Sequence, residues 1–179
     1  MSLPADVRIT PLVSHEDERG DFSEIHRLEW ETTVAPPVQW NAVHSAAGVL
    51  RGVHVHPRHD DYLIIFEGSA TIGLADLREE SPTFGAAACV VAGRENRVGI
   101  AIPHGVAHGF LFHAPSLHIY AVSHYWDPAD EQGCRWDDRE LGIDWPEVEP
   151  LLSPRDAALP PLAELRPRLR EARAAISGA

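Results

Sequence analysis

The sequence predicts an all-β fold, a sandwich or jelly roll of antiparallel strands with short helices at its C-terminal end. Short apolar or alternating runs recur up to about residue 150, each of strand length rather than helix length. Gly, Pro or Asp stands at the breaks between them. Few stretches before residue 150 read as helix, so helices do not alternate with the strands, which argues against βαβ units.

Taken in order, the runs are Val38 to Val43, Gly48 to Val55, Tyr62 to Phe66, Ala70 to Leu77, Ala86 to Val91, Val98 to Ile102, Ala107 to Phe112 and His118 to Ser123. The C-terminal segment, residues 153–179, changes character. Ser153-Pro154-Arg155-Asp156 has the form of an N-cap followed by proline at the first helical position, so a short helical turn is expected there. Leu162, Leu165, Leu169, Ala172 and Ile176 then follow a 3,4,3,4 spacing that makes one apolar stripe. Pro167 interrupts this stretch and is expected to kink or restart the helix.

At 179 residues and 44% hydrophobic content, the chain suits one core, and residues 1–179 are read as a single domain. No run reaches the roughly 20 apolar residues that span a bilayer, and the N-terminal Met1-Ser2-Leu3-Pro4-Ala5-Asp6 lacks the layout of a signal peptide. A cytoplasmic protein is the expectation. Cys89 and Cys134 have no metal-type spacing and are read as small packed side chains. A net charge of −12 argues against nucleic acid or an anionic membrane as partner. All 15 basic residues are arginine, so Schiff-base chemistry and a P-loop lysine are excluded. Arginine remains suited to bidentate phosphate recognition, which keeps a diphosphate ligand open.

The densest chemistry lies between Gly48 and Gly68. Arg51-Gly52-Val53-His54 is one signal; His54-Val55-His56, followed by Asp61 and then Gly68, is a second that overlaps it. Other motifs accompany them: Asp17-Glu18-Arg19-Gly20-Asp21-Phe22-Ser23-Glu24, Gln39-Trp40-Asn41, Ala75-Asp76-Leu77-Arg78, Ser81-Pro82-Thr83-Phe84-Gly85, Ile102-Pro103-His104-Gly105-Val106-Ala107-His108-Gly109-Phe110, Trp136-Asp137-Asp138 and Ile143-Asp144-Trp145-Pro146. In this order and at these separations, from about Asp17 to Pro161, the chain resembles the dTDP-4-dehydrorhamnose 3,5-epimerase family.

That resemblance implies a double-stranded β-helix, the cupin jelly roll, and epimerisation of a 4-keto-6-deoxy nucleotide sugar through an enolate. Such a reaction needs a base for the carbon proton, stabilisation of the enolate oxygen, and an acid on the opposite face. The resemblance implies His54 as base, Asp76 as the carboxylate that orients it, and Tyr120 as acid. It implies substrate-binding roles for Arg19, Phe22, Glu24, Gln39, Asn41, Arg51, His108, Tyr125 and Trp126, no cofactor, and a homodimer in which N-terminal residues reach across the interface. Where the family carries a lysine that helps to stabilise the enolate, this chain has Asp61, in the run His59-Asp60-Asp61.

The overlapping signal supports a different chemistry. The spacing of His54, His56, Asp61 and His108 fits the metal motif of the wider cupin superfamily, and three imidazoles with one carboxylate suit a divalent transition-metal ion. A metal-dependent cupin isomerase or oxygenase is therefore an alternative, as is a non-catalytic sugar-binding cupin. The two chemical readings compete at His54, because a ligated imidazole is not a free base.

Overall fold

The computed structural model of the protein describes residues 2–30, 34–128 and 130–178. Among the described residues twelve strands appear in chain order: β1 Arg8–Pro11, β2 Ser14–Asp17, β3 Gly20–Ser23, β4 Gln39–Ser45, β5 Leu50–Val55 and β6 Asp61–Glu67, then β7 Ser69–Asp76, β8 Ala87–Gly93, β9 Val98–Ile102, β10 Val106–Phe112, β11 Ser116–Val122 and β12 Gln132–Gly133. A 3₁₀ turn at Arg139–Leu141 and two helices, α1 Pro154–Ala157 and α2 Leu162–Ser177, complete the elements.

Two five-stranded antiparallel sheets face each other, one ordered β1-β9-β6-β11-β4 and the other β12-β5-β10-β7-β8. From β4 to β12 the chain passes back and forth between the layers, except for the β7–β8 hairpin within one sheet, which is the jelly-roll arrangement. Each of the eight apolar runs forms a strand, within a few residues of the expected ends. Strands β1, β2, β3 and β12 were not anticipated; their residues are short, polar or exposed and give no period-2 signal.

Between the layers, Leu63, Ile65, Ile100 and Ile102 from one sheet meet Ile72, Leu74, Val106 and Phe112 from the other. All eight are nearly inaccessible to water, and each such side chain contributes about 1.5–3 kcal/mol by leaving water. A second cluster forms where α2 covers the outer face of the β5-containing sheet. There Leu162, Leu165 and Leu169 pack with Val53, Val55 and Leu141. The expected stripe ends at that point, since Ile176 is 40% exposed.

Helix α2 runs unbroken through Pro167 and does not restart there. Pro167 and Ala163, the residue whose carbonyl loses its partner, are both on the exposed side of the helix. Water can satisfy that carbonyl, and the three buried leucines hold the helix in register.

Strand β5 carries the irregularity that makes the site. Its register with β10 pairs His54 with His108 but Arg51 with Phe110, so three steps on β5 face two on β10. This is a β-bulge, and it places Arg51, His54 and His56 on one face, where strict alternation would separate Arg51 from the histidines. Gly52 adopts φ +102°, and a Cβ there would lie 2.8 Å from the His108 carbonyl oxygen. Only glycine fits both constraints.

Candidate active site

Toward one end of the sandwich the interlayer side chains change from aliphatic to polar and enclose a cavity of about 220 Å³. Arg51 and His54 of β5, His56 just beyond its end, and His108 and Phe110 of β10 enter it from one side; Asp61 of β6 and Tyr120 and Val122 of β11 enter from the other sheet. Ser153, Arg155 and Asp156 at the start of α1 close the wall, with Trp126 and Glu131.

His54 is held by two carboxylates. Its Nε2 lies 2.8 Å from Asp156 Oδ1, and its Nδ1 lies 3.5 Å from Glu131 Oε1. Burial would raise the Asp156 carboxyl, but hydrogen bonds with His54 and Ser153 outweigh it and hold the group below its ordinary range. Glu131 is kept low in the same way: burial opposes, and Arg155, His54 and Trp126 prevail. Arg155 Nη1 is 2.9 Å from Glu131 Oε2, and Trp126 Nε1 donates to that oxygen at 3.0 Å.

The carboxylate paired with His54 is thus Asp156, and the assignment of Asp76 is corrected. Asp76 is fully buried and engaged elsewhere. Arg78 Nε and Nη2 donate to it, each at 2.9 Å, and the Ser81 and Thr83 hydroxyls donate at 2.6 and 2.7 Å. Burial would raise its pKa, but these donors hold it at about 2. It is also absent from the cavity wall. Ala75-Asp76-Leu77-Arg78 is a local carboxylate–guanidinium staple at the end of β7. A signal for Asp156 was present in the sequence, because the Ser153-Pro154 cap predicted the turn that carries it. The Ser153 hydroxyl accepts from the Asp156 backbone N–H at 3.0 Å, fixing the turn whose side chain reaches His54. Only the pairing across 102 positions was hidden.

Tyr120 lines the cavity from the sheet opposite His54. Its hydroxyl is pushed up by burial and then by the nearby charges of Asp61 and Glu131, so it stays protonated at neutral pH. Arg51 lines the same wall and donates from Nε to Ser45 Oγ at 3.0 Å. Gln39 and Asn41 lie on β4 opposite Val122 and Tyr120, and Gln39 Oε1 accepts from the Trp126 backbone N–H at 3.0 Å. Tyr125 is 76% exposed outside the cavity wall, whereas Trp126 forms part of it.

Arg19, Phe22 and Glu24 are not brought to this cavity within one chain. Arg19 and Phe22 belong to the β2–β3 hairpin, where Arg19 pairs with Asp17 and Phe22 is 64% exposed. Glu24, just after the hairpin, pairs with Arg27.

The histidine-rich side of the cavity also departs from expectation. Asp61 Oδ2 lies 3.9, 3.7 and 3.8 Å from the Nε2 atoms of His56, His59 and His108. His54 is not part of this group, since its ring is committed to Asp156 and Glu131. The four residues grouped by spacing are thus not gathered as expected: His59 stands beside Asp61 and His56, and His54 lies outside that cluster. Burial pushes Asp61 up to about 7 and His108 down to about 4. His56 is lowered by burial and by the neighbouring histidines. Burial also opposes charge on His59, but the Asp130 carboxylate outweighs it and raises that group.

A jelly roll with a histidine–carboxylate pair in a polar cavity between its sheets belongs with the cupin-type isomerases. Likeness to known proteins narrows the class. Residues 2–164 match the family described as dTDP-4-dehydrorhamnose 3,5-epimerase, and the chain belongs to that family. It is 36% identical over 164 residues to the dTDP-4-dehydrorhamnose 3,5-epimerase of Neisseria gonorrhoeae, covering 88% of this chain; it spans half the length of that protein. The dTDP-6-deoxy-D-glucose-3,5-epimerase of Legionella pneumophila, solved with dTDP-4-keto-L-rhamnose, superposes with a TM-score of 0.83 at 32% identity over 92% of each chain. A 3′-monoepimerase of Streptomyces bikiniensis, solved with dTDP-quinovose, superposes with a TM-score of 0.84 at 31% identity over 93% of this chain and 88% of its own.

Proposed function

We propose that the protein epimerises the sugar ring of a dTDP-linked 4-keto-6-deoxy hexose, with His54 as base and Tyr120 as acid. The observation that carries this is the 2.8 Å contact between His54 and Asp156 inside a cavity that Tyr120 enters from the facing sheet. Asp156 fixes the imidazole tautomer and stabilises the imidazolium that forms when His54 takes the proton next to the ketone. The hydroxyl of Tyr120 returns a proton from the other side, which inverts the carbon. Proton gain by His54 leaves an enolate, whose oxygen needs a positive or electron-withdrawing neighbour.

Arg51 and Arg155 are the cavity's guanidinium groups and suit the diphosphate, while Trp126 offers an aromatic face. Arg19, Phe22 and Glu24 serve a second copy of the chain, reaching its nucleotide from the exposed hairpin region. Among the described residues no helix is long and apolar enough to cross a membrane, and the reaction fits the cytoplasm.

The test is incubation with dTDP-4-keto-6-deoxyglucose in heavy water, with deuterium read by NMR. Incorporation at C3 and C5 is the outcome for a double epimerase, and incorporation at C3 alone makes the protein a monoepimerase. Failure to label either carbon would reject this substrate.

A further inference from the structure

The four side chains His56, His59, Asp61 and His108 do more than line the cavity, and we propose that they form a binding site for a divalent transition-metal ion beside the His54–Asp156 pair. Asp61 Oδ2 faces three imidazole Nε2 atoms at 3.7 to 3.9 Å. These separations are too long for hydrogen bonds. The same cavity shows what a hydrogen bond looks like, with His54 at 2.8 Å from Asp156 and His59 Nδ1 at 2.9 Å from Asp130. Four ligands about 2.1 Å from a tetrahedral ion lie roughly 3.4 Å apart. Small ring rotations close that gap, and the ligand atoms of His56, His59 and Asp61 already fall within 4.8 Å of one another.

The far sides of the rings supply a second, independent observation. His59 Nδ1 meets the Asp130 carboxylate, and His108 Nδ1 donates to the Val106 carbonyl at 3.1 Å. Each acceptor fixes the proton on Nδ1 and leaves the Nε2 lone pair directed at Asp61. This is the support that metal-binding imidazoles ordinarily receive. Among the described residues, Asp61 also has no hydrogen-bond donor closer than these imidazoles, although it is only 6% exposed. Three nitrogens and one oxygen favour Zn²⁺, Co²⁺ or Fe²⁺ over the oxygen-seeking Mg²⁺ and Ca²⁺.

Because His54 lies outside the set, ion binding and base catalysis are compatible in one cavity. An ion held there would supply Lewis-acid polarisation of the substrate carbonyl, at the position where the resembled family carries a lysine and this chain carries Asp61. That last step rests on the proposed epimerase reading; the ion site itself does not.

The experiment uses untagged full-length protein, stripped with EDTA and dialysed, then titrated with Zn²⁺ by calorimetry and with Co²⁺ by visible absorption. One ion per chain is expected. His59→Ala and His56→Gln are each expected to weaken binding at least about tenfold, while His54→Ala keeps it. Circular dichroism establishes that each variant is folded, and the two ligand variants back each other if one is not. Absence of binding by the folded wild type overturns the proposal. So does loss of the ion in His54→Ala with retention in His59→Ala. Both readouts are independent of turnover, so a protein inactive on the dTDP sugar still decides the question.

Discussion

Asp156 accepts from the His54 ring while its own backbone N–H is held by the Ser153 cap, so Asp156→Asn changes charge without removing bulk. With His54 as the proposed base, the imidazolium formed in turnover then lacks its counter-charge. A fall of about 10²–10⁴-fold in kcat/KM is expected, with an unfolding midpoint near that of the wild type; deuterium wash-in and a urea titration measure the two. Asp76→Asn is expected to behave in the opposite way. It leaves the Arg78 guanidinium without its buried charge partner and costs about 2–3 kcal/mol of stability, with turnover of the folded protein within a few fold. The pH dependence separates them further. The Asp76 carboxyl is held at about 2, below its ordinary 3.8. A depressed carboxylate stabilises the fold above its unfolded value and loses that contribution as pH falls through its folded value. Roughly 2 kcal/mol should therefore disappear between about pH 4 and pH 2 in the wild type and be missing from Asp76→Asn throughout. Urea unfolding across that range tests the expectation. Both carboxylates were visible in the sequence as residues, but the partner of His54 depends on a contact 102 positions away. No local spacing encodes such a contact.

Strand β5 shows what an element adds to its residues. Arg51, His54 and His56 share the cavity only because Gly52 absorbs one extra residue in the ladder with β10. Gly52→Ala would bring a Cβ to 2.8 Å from the His108 carbonyl and force a side chain into φ +102°. Destabilisation of about 2 kcal/mol or more is expected, and relief of the clash by a register slip would turn His54 away from Asp156. Loss of deuterium wash-in by the protein that remains folded is the signature of that slip. The strands themselves were legible because Val98 to Ile102 and its counterparts are buried apolar runs bounded by turn residues. The bulge was not, since an Arg-Gly-x-His sequence reads the same in a regular strand. Helix α1 was legible from Ser153 and Pro154, yet its role in presenting Asp156 to His54 becomes visible only when β5 lies beneath it.

At the scale of the whole molecule, the β2–β3 hairpin is fixed at its base and free at its surface. Arg97 anchors it through Asp21, Ser14 and Ser23, whereas the Arg19 side chain is 85% exposed and Phe22 forms no part of its own chain's cavity wall. If the hairpin completes the nucleotide site of a second copy, Arg19→Ala and Phe22→Ala should raise KM with little change in kcat, because they remove binding remote from the reacting carbons. Mixing two defective proteins makes the geometry explicit. A His54→Ala chain has an intact hairpin and a dead base; an Arg19→Ala chain has a damaged hairpin and a working base. In a heterodimer with hairpins acting across the interface, the first chain's hairpin completes the second chain's site, giving one intact site. Random reassociation makes about half of the dimers mixed, so about a quarter of all sites regain wild-type KM. A hairpin that serves its own chain leaves every working base beside a damaged hairpin, and no such fraction appears. Progress curves at substrate well below the Arg19→Ala KM, taken before and after the two proteins are unfolded and refolded together, distinguish these outcomes.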